Sequence, residues 1–450
     1  MMDVHTKVYN FLKEIETNKN SSLISLTVAN KDEVLFDFKK EPYLKEGKQL
    51  VFSVTKSITS LAIGMLYDKG LIDFDKPIIE YFKDELPSVY DPKIKDITIR
   101  HLLTMTTGII KENNKEMLKT DDYRTYFLSQ EVVYTPGTHY HYHSATSHML
   151  SALFTKISGQ TVESYLQRHL FNDLGIINYH WGKAKEGINF GGYGLSINND
   201  AMVKVGQLLL NNGMYGGKRY VSEKYLKMAT SPQSVKQDYV NNPNAKAIGY
   251  QYGFQFHVSP NLSYRADGAY GQIIVIFNDL AIISTAQYID YENLYGLIYK
   301  HFTNDTVKPV KIEKLNNYLS SQTFKVEPKS NPLNLNQSFE LEDNLLSIKQ
   351  LKFSHDYLLV TYCDGKTDQF EYNFNQDMYG ESIYAKDLFM VKQPHWVIPY
   401  VEKNVLTLKI LYIETPFFAE YQFRFDNQKL EFKFIPSPNF LLNGFTVMSK

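Results

Sequence analysis

Apolar residues in the first part of the chain follow two different periods, which predict a helix and then a hairpin. Residues 4–17 carry apolar side chains at helical spacing and predict a short amphipathic helix. Segments 23–28 and 34–38 alternate apolar and polar positions on either side of Asn30-Lys31-Asp32. Because alternation interrupted by polar turn residues is typical of a β-hairpin, we expect two paired strands here.

From Ser53 the apolar positions return to helical spacing. Residues 58, 61, 62, 65 and 66 are apolar and would share one face of a helix. We therefore predict a helix with one buried face that begins near Ser53 and ends near Gly70. Residues 97–230 are predicted to be mainly helical with loops.

Strand patterns reappear towards residue 300. Alternating or clustered β-formers predict strands over 250–258, 272–277 and 280–287, and residues 294–302 predict a closing helix. Strands therefore lie at both ends of residues 1–305, with helices between them. This arrangement predicts an α+β fold in which one antiparallel sheet, flanked by helices, carries a helical insertion.

The chain is long enough for two domains. Residues 306–335 combine three prolines with Lys, Asn and Ser, which makes this segment the best linker candidate. Beyond it, runs of β-formers predict a separate all-β domain, a small barrel or a sandwich. The predicted organisation is a first domain over 1–305, a linker over 306–335 and an all-β accessory domain over 336–450.

Composition and charge narrow the classes of partner. The chain is 43% apolar and 22% charged, as a folded globular protein is. Its 48 Lys and Arg balance 49 Asp and Glu, so the net charge of −1 creates no general field for nucleic acid, and no nucleic-acid partner is predicted. A single cysteine, Cys363, allows no disulfide within the chain and no cysteine cluster for zinc.

The sequence also predicts neither a signal peptide nor a membrane span. The first twenty residues contain acidic side chains and no apolar run, so no signal peptide is predicted. No stretch approaches the ~20 apolar residues of a membrane span. The sequence therefore predicts a cytoplasmic protein without a membrane span, and it assigns no oligomeric state.

The segment Ser53-Val54-Thr55-Lys56 places a serine and a lysine three residues apart. On a helix such residues share a face, with Cβ atoms roughly 5–6 Å apart. A hydroxyl at a helix start also lies near the positive end of the helix dipole. Both features suit a nucleophile whose attack creates negative charge, although serine is also an ordinary N-cap residue.

Two further groups follow in an informative order. The loop 136–144 contains Tyr142-His143-Ser144, and the Gly-rich stretch Ala266–Gln272 leads into a predicted strand. A serine–lysine helix start, then Tyr-x-Ser, then a Gly-rich strand start is the order found in penicillin-recognising serine enzymes. Over about residues 40–300 the chain resembles the class C β-lactamase-like family of serine hydrolases.

Other stretches agree with that resemblance, and two positions depart from it. Residues 97–108 and Gly194-Leu195-Ser196 are similar to family segments. Ser144 stands where many members have Asn, and Ala266 stands where Lys or His is usual. Both departures, with Gly268-Ala269-Tyr270-Gly271-Gln272, are similar to the 6-aminohexanoate-dimer hydrolase and esterase-like subgroup.

The resemblance implies roles for named residues. Ser53 would be the nucleophile, Lys56 and Tyr142 its acid–base partners, and the backbone N–H groups of Ser53 and Ala269 the oxyanion hole. Because free Lys and free Tyr both have a pKa of about 10, either of the two could be the base. No metal or organic cofactor is implied. The candidate substrate-binding residues are Ser144, Gly268, Tyr270, Gly271 and Gln272.

The position of Ala266 bears on the substrate. A β-lactam or D-Ala-D-Ala substrate carries a carboxylate that needs a nearby cation. Ala266 supplies none, Asp267 would repel a carboxylate if it faced the cleft, and Arg265 should point to the opposite face of its strand. We therefore expect a small ester, amide or peptide-like substrate, with a β-lactamase, D-Ala-D-Ala carboxypeptidase or penicillin-binding protein as the alternative.

Two rival interpretations belong to other classes. His139, His141 and His143 alternate, and in a strand they would share one face and could bind a metal. A receptor or pseudoenzyme would keep Ser53, Lys56 and Tyr142 but acylate with little turnover. Burst kinetics without turnover would identify that second case.

Overall fold

The computed structural model describes residues 4–43, 47–111, 114–240, 249–259, 263–303, 309–324, 335–426 and 429–450. The chain divides into two compact units. The first contains residues 1–39 and 51–319, and the second contains residues 40–50 and 320–450. Within the described ranges, every helix falls short of the length and hydrophobicity that a bilayer span requires.

The first unit combines twelve described α-helices, besides short 3₁₀ and π-helical turns, with short and long strands. Its helices are α1 Val4–Ile15, α2 Val54–Asp68, α3 Ile99–Leu103, α4 Asn114–Met117, α5 Tyr123–Leu128, α6 Ser144–Ser158, α7 Val162–Leu166, α8 Asn199–Leu210, α9 Glu223–Ala229, α10 Gln237–Val240, α11 Tyr291–Thr303 and α12 Ile312–Ser320. Its strands are β1 Ser22–Ala29, β2 Val34–Lys39, β4 Tyr179–Trp181, β5 Leu195–Ile197, β6 Met214–Tyr215, β7 Lys218–Arg219, β8 Ser234–Val235, β9 Gln251–Tyr252, β10 His257–Val258, β11 Tyr264–Gly268, β12 Gln272–Phe277 and β13 Leu280–Tyr288; β3 belongs to the second unit.

One antiparallel sheet of eight strands organises this unit, in the order β2-β1-β13-β12-β11-β10-β9-β8. The predicted N-terminal hairpin is confirmed, with Leu26 opposite Phe38 and Val28 opposite Phe36. Strand β1 also pairs with β13, so an early and a late segment of the unit meet as the second and third strands from one edge of the sheet. The predicted α+β class, with helices inserted between the strands, is therefore confirmed.

Helices α1, α11 and α12 cover one face of the sheet. Phe11 and Leu12 of α1 and Leu294 and Ile298 of α11 are buried in one cluster with alternate residues of β12. Alternate strand residues face the same side, so Ile273, Val275 and Phe277 of β12 all belong to that cluster. Burial of these amphipathic faces is the dominant favourable term in holding α1 and α11 on the sheet.

Two local predictions differ from the structure. The predicted strand 250–258 is interrupted between β9 and β10, because the N–H of Phe254 bonds to the carbonyl of Ala229 and a Cβ on Gly253 would lie 2.0 Å from that oxygen. Within the predicted linker 306–335, the structure places helix α12, whose Leu315 is buried in the first unit's core.

The second unit is an all-β domain, as predicted. Its strands are β3 Gln49–Leu50, β14 Ser338–Glu340, β15 Ile348–Phe353, β16 Tyr357–Tyr362, β17 Thr367–Glu371, β18 Met378–Lys386, β19 Phe389–Glu402, β20 Val405–Tyr412, β21 Phe418–Asp426, β22 Lys429–Pro436 and β23 Phe445–Met448. Strands β14 to β17 form one antiparallel sheet and β18 to β23 another, with consecutive strands adjacent throughout.

Backbone hydrogen bonds between the end of β14 and the residues after β23 close these two sheets into a barrel. Leu341 bridges to Ser449, and the N–H of Lys450 donates to the carbonyl of Glu340 at 2.9 Å. On the opposite side β17 and β18 belong to different sheets, and the Ile383 N–H donates to the Asp368 carboxylate instead of to a strand carbonyl. The result is a ten-stranded up-and-down barrel with one gap.

The sequence pattern did not assign residues 40–50 to the second unit. The N–H of Leu50 donates to the carbonyl of Glu414 at 2.9 Å, and the Lys48 ammonium lies 3.3 Å from the Glu414 carboxylate. The ring of Tyr43 packs edge-on against Phe324. These contacts join a short N-terminal segment to the barrel before the chain continues at Val51 into the first unit.

Candidate active site

Ser53 lies directly before helix α2 and makes no capping hydrogen bond with its side chain. Its hydroxyl is therefore available for chemistry, unlike that of an ordinary N-cap serine. The preceding Phe52 has a left-handed φ of 46°, a conformation that costs a non-glycine residue of order 1–3 kcal/mol. The ring of Phe52 is held against Tyr270, with centroids 5.3 Å apart.

Lys56 reaches back over one helical turn to Ser53. Its side chain is only 1% exposed, and Nζ lies 3.1 Å from Ser53 Oγ. The same Nζ donates to the carbonyl of Gly192 at 2.8 Å and lies 3.3 Å from Ser144 Oγ. These polar contacts compensate the burial of the amine.

Gly191 and Gly192 allow that carbonyl to approach Lys56. A Cβ on Gly192 would lie 3.2 Å from Lys56 Nζ, and a Cβ on Gly191 would lie 2.0 Å from the carbonyl oxygen of Ser147 on α6. Only glycine therefore fits at 191 without movement of the backbone, whereas a side chain at 192 would press on Ser144 and Lys56. The sequence analysis missed Gly192, although two adjacent glycines before Gly194-Leu195-Ser196 were a signal of close packing.

Tyr142 joins the same site from the loop before α6. The centre of its ring lies 4.7 Å from Lys56 Nζ, close enough for a cation–π interaction when Lys56 is protonated. Ser144 begins α6 at the end of this loop. The structure thus brings together Ser53, Lys56, Tyr142 and Ser144, which the sequence had placed in two distant segments.

Backbone bonds fix the loop that carries Tyr142. The N–H of His141 donates to the carbonyl of Met105 at 2.9 Å, and that of Gly137 donates to the carbonyl of Thr106 at 2.7 Å. His143 is buried, with Nδ1 3.1 Å from Thr146 Oγ1, and burial lowers the pKa of its imidazole to about 3.

The three alternating histidines lie in this loop and not in a strand, contrary to the arrangement that the metal interpretation needs. His139 stacks on Tyr134 with centroids 4.0 Å apart, whereas His143 is buried against Thr146. Across the ranges that the structure describes, no group of three His, Cys, Asp or Glu side chains is arranged to hold a metal ion.

The Gly-rich turn after β11 packs against the start of α2. A Cβ on Gly268 would lie 2.2 Å from the carbonyl oxygen of Val51, so the strand end approaches the backbone just before Ser53. Tyr270 follows with a left-handed φ of 63°. Tyr291 of α11 fastens both ends of the turn, because its hydroxyl donates to the Gly268 carbonyl at 2.5 Å and accepts from the Gly271 N–H at 2.9 Å.

Two predicted substrate-binding residues have structural partners. Gln272 is 1% exposed, and its Nε2 donates to the carbonyls of Ala286 at 2.8 Å and Tyr270 at 3.3 Å. Gly271 is buried, and its N–H bonds to Tyr291. These bonds support the turn. A substrate-binding role stays a prediction for Gln272 and Gly271, as it does for Ser144, Gly268 and Tyr270.

Arg265 and Asp267 lie on the opposite face of β11 from Ala266, as the strand period predicts. Arg265 is paired across the sheet with Val275 of the buried cluster, and its Nε donates to Asp267 Oδ2 at 2.9 Å. The Tyr295 hydroxyl donates to Asp267 Oδ1 at 2.7 Å. The Asp267 carboxylate therefore accepts from both Arg265 and Tyr295, and the charge of Arg265 is neutralised by Asp267.

A buried lysine–histidine pair near Tyr142 had no signal in the sequence. Lys236 Nζ lies 2.7 Å from His257 Nδ1, and the His257 ring is centred 6.0 Å from that of Tyr142. Burial, with the positive charge of Arg265 as a second cause, lowers the pKa of Lys236 to about 7. Burial and the adjacent Lys236 keep the pKa of His257 well below its usual value. The pair meets only because β8 and β10 lie at the same end of the sheet.

The fold and this cleft together define a protein of the β-lactamase-fold class of serine hydrolases. The family model described as Beta-lactamase matches residues 24–288, more than half of the chain, and the chain belongs to that family. The predicted resemblance is therefore confirmed.

Named relatives agree at low identity. The chain is 24% identical over 294 residues to the putative penicillin-binding protein PbpX of Bacillus subtilis, covering 59% of this chain and 68% of that protein. It is 23% identical over 209 residues to a 6-aminohexanoate-dimer hydrolase of Paenarthrobacter ureafaciens, covering 43% of this chain and 53% of that protein. The curated relatives are thus matched over about half to two thirds of their own lengths.

A solved structure shows the same fold along nearly the whole chain. The octameric penicillin-binding protein homologue from Pyrococcus abyssi superposes with a TM-score of 0.54 at 16% sequence identity. The match covers 99% of this chain and 100% of that one.

Proposed function

We propose that the protein is a serine hydrolase that forms an acyl-enzyme on Ser53 and hydrolyses a small ester or amide. The observation that carries the proposal is the buried Lys56 amine, 3.1 Å from Ser53 Oγ and 4.7 Å from the centre of the Tyr142 ring. A nucleophile beside a desolvated amine and a phenol has the base and the acid that acyl transfer uses.

The hydrogen bonds of Lys56 favour it as the base. The Gly192 carbonyl only accepts, so it takes one N–H of Lys56, and Ser144 Oγ can take a second. A neutral amine would then direct its lone pair towards Ser53 Oγ and accept the hydroxyl proton. Tyr142, which shares the site, would donate a proton to the leaving group, and the two groups would titrate as a coupled pair.

The reaction then proceeds in two halves. Ser53 Oγ bonds to the carbonyl carbon as its proton passes to Lys56, and collapse of the tetrahedral intermediate expels the leaving group with a proton from the Lys56–Tyr142 pair. Water then attacks the acyl carbonyl carbon as one of its protons passes to the same pair. Collapse of this second tetrahedral intermediate breaks the bond to Ser53 Oγ, which takes a proton back from the pair as the acid leaves. The close packing of Gly268 on Val51 supports an oxyanion hole formed by the N–H groups of Ser53 and Ala269.

The surroundings of β11 favour a neutral acyl group over a β-lactam. Ala266 is apolar at the position where a cation would receive the β-lactam carboxylate, and Arg265 is held by Asp267 on the other face of the strand. Similarity to a 6-aminohexanoate-dimer hydrolase is consistent with a linear amide.

The proposal is tested with p-nitrophenyl esters of increasing chain length, D-amino-acid amides, a linear 6-aminohexanoate amide and nitrocefin. We expect turnover of an ester or linear amide at a higher kcat/KM than nitrocefin, a covalent acyl adduct on Ser53 by mass spectrometry, and no turnover by Ser53→Ala. Ser60→Ala, which removes the hydroxyl of another buried serine in α2, is the matched control.

Three results would contradict it. Turnover that survives in Ser53→Ala would exclude the nucleophile. Nitrocefin hydrolysis that exceeds ester and amide hydrolysis would support the β-lactamase alternative. A stoichiometric burst without further turnover on every substrate would support the acylatable receptor.

A further inference from the structure

A pocket of about 680 Å³ opens at one end of the barrel in the second unit. Its walls come from the segment before β15, the β16–β17 turn, the β18–β19 hairpin and the loop before β23, represented by Ser347, Gly365, Met390 and Leu442. These segments surround the mouth of the barrel. The volume lies within the roughly 300–1,000 Å³ range of small-molecule sites, and barrel mouths are a common place for them.

One carboxylate in the wall of this pocket is buried and only partly satisfied. Asp368 of β17 is 7% exposed, and its Oδ2 accepts from the Tyr362 hydroxyl at 2.9 Å and from the Ile383 N–H at 3.4 Å. Among the residues that the structure describes, none donates a hydrogen bond to Oδ1, and none forms an ion pair with Asp368. Burial raises the pKa of this carboxyl in spite of the hydrogen bonds from Tyr362 and Ile383, so desolvation outweighs the partners that the chain supplies.

The cations that line the pocket are already paired. Lys392 Nζ lies 3.2 Å from the Glu381 carboxylate, and Lys366 Nζ lies 2.7 Å from that of Asp364. Both pairs are exposed. Burial is the largest influence on the pKa of Asp368 and the charge of Lys392 the smallest, and no lining cation forms an ion pair with Asp368 among the described residues. A positively charged group is therefore the complement of the buried carboxylate.

Apolar side chains form the rest of the contact surface. Ile383 and Met390 are large, partly exposed hydrophobic residues that line the pocket, and Leu346 and Leu442 line it as well. They suit a hydrocarbon body attached to the cationic head. An inorganic cation would leave this apolar surface without a partner.

We propose that the mouth of the barrel binds a small primary organic ammonium, whose –NH₃⁺ group donates to Asp368 Oδ1 and whose hydrocarbon body packs on Met390 and Ile383. A charge-assisted hydrogen bond in a partly desolvated pocket supplies the affinity, and the apolar wall supplies the selection for an organic amine. The site is independent of acyl transfer, because all its residues belong to the barrel unit.

The test uses the full chain as Ser53→Ala, so that no amine is consumed as an acyl acceptor. Calorimetric titration with hexylammonium should show saturable one-to-one binding, at least about tenfold tighter than hexanol or hexanoate of the same chain length. Asp368→Asn, which keeps the shape of the side chain, should weaken hexylammonium binding by about tenfold or more. Asp356→Asn, an exposed aspartate in the β15–β16 turn, should leave the affinity unchanged.

A second variant keeps the proposal testable if Asp368→Asn folds poorly. Met390 is 46% exposed, so Met390→Trp would fill the mouth without changing the barrel core, and it should abolish binding. The proposal is wrong if hexylammonium does not bind, if hexanoate binds as tightly, or if a folded Asp368→Asn or Met390→Trp variant keeps the original affinity.

Discussion

The cleft around Lys56 and the barrel mouth around Asp368 both bury an ionisable side chain among tyrosines, but they satisfy it differently. Lys56 Nζ has Ser53, Ser144 and Gly192 as partners within 3.3 Å. Asp368 has donors on one oxygen only. The first group is held in one geometry by its own chain, whereas the second leaves a hydrogen-bonding position for a molecule from outside.

This difference separates a site built for chemistry from one suited to binding. Acyl transfer needs reacting groups fixed to a fraction of an ångström, and glycines at 192 and 268 allow the backbone approaches that fix them. A ligand site needs a polar group with an open hydrogen-bonding position and an apolar surface on which the ligand can pack. Substitutions that remove a partner, a close approach or a buried charge test whether the two regions differ in this way.

The largest effect is expected from Lys56→Met, which keeps the length of the side chain but removes the amine. We expect kcat/KM for the best ester to fall about 10²–10⁴-fold, the usual contribution of a general base. The free energy of unfolding should change little, because the lost hydrogen bonds are offset by the removal of a buried amine. Activity assays and urea denaturation of the same samples measure both quantities.

Lys76→Met is the matched control, since Lys76 is exposed and pairs with Glu80 on the surface. It should leave kcat/KM within about twofold. A Lys56→Met enzyme that retains its activity would show that the well-partnered amine is structural, and the contrast with Asp368 would then have no functional meaning.

Much of the catalytic region could be predicted from sequence because its information is local. The helix after Ser53, the hairpin at the N-terminus and the strand pair at 272–288 each follow from periodicity within one short segment. The grouping of Ser53, Lys56 and Tyr142 followed from the order of three motifs. The fold was needed to show that these segments converge.

The rest depends on contacts between distant segments that no local pattern records. Lys236 meets His257 across the sheet edge, and Tyr291 reaches the turn at Gly268 from a later helix. Helix α12 lies in a segment whose prolines suggested a linker, because burial of Leu315 outweighs its weak local preference. The pocket at Asp368 likewise requires the barrel to close.

An intermediate effect is expected from Gly268→Ala. The added Cβ would meet the Val51 carbonyl at 2.2 Å, and rotation of a side chain cannot relieve a clash with backbone. The strand end must therefore move away from Ser53, which should lower kcat/KM by about tenfold to hundredfold and cost about 1–3 kcal/mol of stability. Steady-state kinetics and thermal denaturation test both parts.

Gly296→Ala on α11 is the control for this change, because a Cβ there meets nothing within 4 Å. It should keep full activity and raise stability by up to about 1 kcal/mol, as alanine does in a helix. Equal kinetics for Gly268→Ala and Gly296→Ala would refute the view that tight backbone packing sets the geometry of the cleft.

The smallest effect on activity is expected at Lys236, a buried amine outside the proposed catalytic group, where the predicted change is in stability alone. Its pKa is lowered to about 7 in the folded protein by burial and by Arg265, so above that pH the unfolded chain binds more protons than the folded one. Stability contributed by the neutral amine should therefore rise with pH from about 7 towards the unfolded pKa of about 10.4, by at most about 1.4 kcal/mol per pH unit.

Lys236→Met should lack this rise, so its stability relative to wild type should be most favourable near pH 6 and decline towards pH 9 in urea titrations. Lys227→Met, at an exposed position on α9, should follow wild type throughout. If the free energy of unfolding of Lys236→Met differs from that of wild type by a constant amount from pH 6 to 9, Lys236 titrates normally. Hydrogen bonds alone would then not distinguish a buried charge that the chain satisfies from one that it does not.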